Sequence, residues 1–115
     1  MIYTKKTTKR GQIMNKLRTN KVELHQETCE RLNGIYAKKN HDYGDSFGAG
    51  YAEYGMTMAV IRLEDKVRRL KSLLKAEAQV DDESIEDTLI DLANYAIMTL
   101  IERQNSEKED EQDDG

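Results

Sequence analysis

An all-α chain is predicted by three observations. Proline is absent from all 115 residues, so nothing in the sequence forbids long helices. Apolar residues recur at spacings of three and four in three separate stretches, the period of a helix face. No run alternates apolar and polar residues as a half-buried strand would. The prediction is a three-helix protomer, with residues 22–104 as the folding unit between two charged ends. A core of roughly eighty residues is marginal alone, so an oligomeric helical bundle, a homo-oligomer of two or more copies, is expected.

The first helix is predicted from about Val22 to Lys39, with Leu24, Thr28, Cys29, Leu32, Ile35 and Tyr36 on its apolar face. Asn33-Gly34 weakens it locally. The second starts between Ala49 and Tyr54 and runs to about Ala76. Its Met56, Val60, Leu63, Val67, Leu70 and Leu74 form a coiled-coil-like seam. The third runs from Ser84 to about Arg103, after a stretch of acids suited to a helix start. Ile85, Leu89, Leu92 and Ala96 mark one apolar face, and Ile90, Ile97 and Ile101 another. A helix that is apolar on two sides must be covered on both.

Residues 1–21 carry seven Lys or Arg and no acid, which predicts a basic arm. It reads as a solvated tail, or else as an electrostatic hand for phosphates or nucleic acid. Residues 105–115 read as a disordered acidic tail, six of the last ten being acids. These opposite signs, and a formal net charge of −4, speak against a dedicated nucleic-acid surface. Cys29 is the sole cysteine, so neither an internal disulfide nor a cysteine metal site can form, and it is expected to act as a small buried hydrophobe. No stretch has the length of a membrane span or the apolar core of a signal peptide, which predicts a cytoplasmic protein with no membrane partner.

Chemistry is expected along two stripes. Asp87, Asp91 and Asn94 lie at i, i+4, i+7 of the third helix, on a polar line through apolar surroundings. Arg62, Lys66 and Arg69 have the same spacing on the second. Facing each other, the stripes could be interhelical ion pairs that fix register. They could equally form a pocket in which cations hold phosphate oxygens and carboxylates hold Mg²⁺, a hard, oxygen-seeking ion. Spacing alone leaves both readings open. The connection from Asn40 to Tyr51 adds three glycines, two acids and three aromatics, suited to close backbone approach and base stacking. It also reads as a turn whose tyrosines cap the core. No catalytic Ser/His/Asp order, P-loop or dinucleotide glycine pattern occurs.

Three blocks in order, Asp42-Tyr43-Gly44, then Arg62 through Leu70, then Asp82 through Ala96, resemble the nucleotide-modification-associated domain family, a small and largely phage-borne group. More distantly the pattern is similar to MazG-like all-α NTP pyrophosphohydrolases and dimeric dUTPases. That resemblance implies a helical oligomer whose acids on two neighbouring helices bind Mg²⁺; here these would be Asp87 and Asp91 with Asp65. The sequence departs from those enzymes at both acidic motifs. The second helix offers only Glu64-Asp65 amid basic residues, and Glu-x-x-Asp is replaced by Asp87-x-x-x-Asp91.

The function these readings imply is binding of a nucleotide or nucleotide-derived small molecule between helices. Asp42, Tyr43, Gly44, Arg62, Lys66, Arg69, Asn94 and Tyr95 are the expected ligand contacts, with Tyr51 a further aromatic candidate. A Mg²⁺-dependent nucleoside triphosphate pyrophosphohydrolase is the enzyme alternative. A non-catalytic sponge that sequesters a nucleotide signal is the other, and the thinned acidic motif favours it.

Overall fold

The computed structural model describes residues 20–43, 45–76 and 82–113. Residues 1–19 of the predicted basic arm, Gly44 and residues 77–81 lie outside them, whereas Lys21, assigned to the arm, begins the first helix. Within the described residues the chain is all-helical, as predicted, but it forms four helices rather than three. These are α1 (Lys21–Tyr43), α2 (Ser46–Tyr54), α3 (Met56–Lys75) and α4 (Asp82–Asp113).

The extra helix comes from a break at Gly55. Its φ of 68° and ψ of −153° belong to a region that glycine alone enters without strain. The Gly55 N–H still donates to the Tyr51 carbonyl at 2.7 Å, closing α2, while the chain turns into α3. The expected single helix from about Ala49 is therefore two. Most of the expected Asn40–Tyr51 loop is helical instead, because α1 continues to Tyr43 and α2 starts at Ser46. Asp45 makes that early start possible, since its Oδ1 accepts the Gly48 N–H at 2.9 Å and caps the helix. A side chain at 48 would meet that carboxylate and push it from its capping position.

The described residues fall into two compact units that divide after Ile35, inside α1. In the first unit Leu32 is buried and the Thr28 hydroxyl donates to the Leu24 carbonyl at 2.8 Å. Cys29 is exposed, contrary to the expected buried role, with its Sγ 3.7 Å from His25 Nδ1.

In the second unit α3 and α4 pack along each other. The short connection between them makes them antiparallel neighbours. The seam on α3 is Ala59, Leu63, Lys66, Leu70 and Leu73, each buried or half-buried at spacings of four and three. It is rotated from the predicted one: Met56, Val60, Val67 and Leu74 are exposed. Small Ala59, with no exposed surface, lets the helices approach closely, which selects this rotation. On α4 the matching line is Thr88, Leu92, Tyr95 and Thr99. Both threonines are buried because each hydroxyl satisfies itself, donating at 2.7 Å to the carbonyl four residues back, Ser84 and Tyr95.

The predicted disordered tail is also corrected. α4 continues to Asp113, ten residues past the expected end. Residues 104–113 contain no glycine or proline, are rich in Glu and Gln, and begin with an Arg103–Glu107 pair across one turn.

Gly55→Ala tests the break that separates α2 from α3. Its cost to the free energy of unfolding in urea should be about 1–3 kcal/mol, the strain of that backbone region in a residue with a Cβ. An unchanged midpoint would show that the α2–α3 junction tolerates another geometry.

Candidate functional site

The C-terminal part of α1, α2, α3 and the middle of α4 enclose a half-open cleft of about 510 Å³, within the size range of small-molecule sites. One wall is aromatic. Phe47 of α2 and Tyr95 of α4 have ring centroids 5.8 Å apart and planes tilted by 34°, and Tyr36 and Tyr54 extend the lining. Met58, Met98 and Ile101 complete the apolar surface. Gly50 admits Met58, whose Cε would lie 3.2 Å from a Cβ at that position.

The polar centre is Asp91. Its Oδ1 accepts from Lys39 Nζ at 2.9 Å and its Oδ2 from Lys66 Nζ at 3.2 Å. The Lys66 ammonium also sits 5.6 Å from the Tyr95 ring centroid, close enough for a cation–π attraction. Burial acts to raise the Asp91 carboxyl, but the hydrogen bonds and charges of Lys39 and Lys66 outweigh it. The carboxyl is held below its ordinary value of 3.8. Lys39 is raised above its ordinary 10.5, chiefly by the hydrogen bond to Asp91, with burial opposing.

Five predicted site residues meet here: Arg62, Asp91, Asn94 and Tyr95 line the cleft, and Lys66 holds Asp91. Arg69, Asp87 and Tyr51 are not in the lining, although Asp87 is near enough to Lys39 to favour its charged form. The side chains of Asp42 and Tyr43, and all of Gly44, lie outside the described residues. The sequence reading missed Lys39, Phe47 and Glu102. Lys39 shares a helix face with Tyr36, at i and i+3, a signal hidden by ending the first helix at 39.

The residues present do not fit the Mg²⁺ implied by the resemblance to pyrophosphohydrolases. Asp91 spends both oxygens on lysines, and Asp65 lies on the exposed side of α3, 3.5 Å from Arg68. Among the described residues no three His, Cys, Asp or Glu side chains are grouped to hold a metal ion. None of the described helices is long and apolar enough to cross a membrane.

The described residues form a small all-helical domain with an aromatic-walled cleft among their helices. The chain belongs to the nucleotide modification associated domain 1 family, which it matches over residues 39–102. The match begins at Lys39 and ends at Glu102, two charged residues of the cleft. Comparison with curated proteins and with solved structures returns no match.

Asp91→Asn should cost on the order of 1 kcal/mol at neutral pH, as expected for a partly exposed pair with two partners. Because the folded pKa of Asp91 is lowered, its contribution is complete above 3.8 and is lost as pH falls through the folded value. The raised Lys39 pKa keeps its share intact up to 10.5 and loses it above. Urea titrations of both proteins should therefore give a constant gap across the neutral range and a shrinking gap below 3.8. A gap that persists undiminished in acid would show that Asp91 acts by shape rather than by charge.

Proposed function

We propose that the cleft binds a nucleotide or nucleotide-derived small molecule and holds it without hydrolysing it. The observation that carries this reading is the Phe47–Tyr95 pair set directly beside the Lys39–Asp91–Lys66 group. An aromatic wall offers a face for a base. Lys39 and Lys66 are both engaged by Asp91, and Arg62 adds a planar donor fork suited to phosphate. Arg62 forms no ion pair with the described residues. Asn94 lines the same cleft, with an amide able to read a base edge or a ribose hydroxyl.

Sequestration is favoured over pyrophosphohydrolysis because the one carboxylate central to the cleft is committed to lysines. A hydrolase of that type would need its acids turned to a metal. A protein of this design would act by lowering the free concentration of its ligand.

The same reading includes self-association. Exposed Val60, Val67 and Leu74 run along α3, and exposed Leu89, Ile97 and Leu100 along α4. Apolar stripes on adjoining helices are the surface a second copy would cover.

Thermal melting with a panel of nucleotides tests the binding. One or more should raise the wild-type melting temperature, and Tyr95→Ala and Arg62→Ala should each remove most of that rise. A ligand that stabilises both variants as well as wild type would place the site elsewhere. Release of pyrophosphate or phosphate would overturn the holding role.

Light scattering tests the assembly. The expected mass is at least twice the 13.3 kDa of one chain. Val67→Glu with Ile97→Glu should reduce it to the monomer, and a wild-type monomer at micromolar concentration would rule the assembly out.

A further inference from the structure

The cleft's charges also limit what the ligand carries. The lining carries two cations, Lys39 and Arg62, and three carboxylates, Asp45, Asp91 and Glu102; a third cation, Lys66, reaches it only through its ion pair with Asp91. The formal charges therefore cancel. Two of the carboxylates are fixed by their own structural work: Asp91 bridges the lysines, and Asp45 caps α2 through the Gly48 N–H. Neither can leave without undoing a helix start or the link from α1 to α4. Glu102 lines the cleft one turn beyond Met98, on the α4 face that continues from Tyr95.

A triphosphate brings about four negative charges, and each must find a donor or a counter-ion as the cleft desolvates it. Of the three cations here, two already share Asp91, which leaves Arg62 as the free fork. One guanidinium matches one phosphate. The rest of the lining is mostly aromatic, thioether and amide, with Ser46, Gly50 and Ile101, and suits a planar, nearly uncharged body. We infer that the ligand is a nucleoside carrying at most one phosphate, with the base on the Phe47–Tyr95 wall and the phosphate, where present, on Arg62. This rests on the nucleotide-binding reading above and narrows it.

The test is calorimetric titration of the full-length protein with the nucleoside, monophosphate, diphosphate and triphosphate of each common base, with and without Mg²⁺. For the preferred base, nucleoside and monophosphate should bind within about tenfold of each other, and the triphosphate about tenfold or more weaker than the monophosphate. Glu102→Gln removes one negative charge from the lining without removing an ion pair among the described residues. It should strengthen triphosphate binding by about threefold or more while leaving the nucleoside within about twofold. A triphosphate that binds tightest would overturn this inference and leave the nucleotide-binding role standing. Failure of every member of every series to bind would overturn both.

Discussion

The carboxylate of Asp91 is the constraint on which the second unit is built. It receives one lysine from α1 and one from α3 while standing on α4, so a single side chain relates three helices. Either lysine alone would give an ordinary pair; two on separate oxygens fix the carboxylate's orientation as well as its position. Lys66 occupies a seam position of α3 where an apolar residue would give more burial. A polar residue at such a position costs stability and specifies register, because any slip of the helices leaves a half-buried charge without its partner. Tyr95 follows Asp91 by one turn, so the register that satisfies the charge also sets the aromatic wall of the cleft.

The rest of the packing gives little alternative support. Leu32 and Ala59 are the buried hydrophobic residues among those described, and no large side chain there is fully covered. Two seam positions of α4 are threonines, which contribute a methyl each and return their hydroxyls to their own helix. Apolar burial contributes little to setting the rotation of one helix on the other, since Ala59 is the one buried hydrophobic residue among those described on α3 and α4. The ion group at Asp91 is what sets it, together with the close approach permitted by Ala59.

Much of the architecture is legible in the sequence. The helical period and the absence of proline give the class, and the i, i+4, i+7 stripes bring out Lys66 and Asp91 while leaving open whether they pair or line a pocket. What the sequence hides follows from physical causes. A seam is read from large apolar residues, so Val60, Val67 and Leu74 outweigh Ala59 and Lys66, and the predicted face is rotated outward. Gly55 is one of several glycines, and only its positive φ marks it as the break between two helices. Asp45 reads as a loop residue in the sequence, and its acceptance of the Gly48 N–H makes it a cap. The acids of 107–113 satisfy the composition of a disordered tail and also the propensities of a helix already nucleated by the packed turns before it.

The same economy explains how binding and folding are linked in the proposed function. A ligand phosphate that takes up a lysine must compete with Asp91, so binding draws on the interaction that holds α1 and α3 to α4. Arg62 is the donor that avoids this conflict: it lines the cleft from α3, one turn before Lys66, and has no partner to lose among the described residues. A ligand anchored on Arg62 and the Phe47–Tyr95 wall leaves the Lys39–Asp91–Lys66 group intact and adds contacts to α2, α3 and α4 together. Such a ligand stabilises the fold by mass action. One that needed all three cations would have to dismantle the joint that shapes its own site.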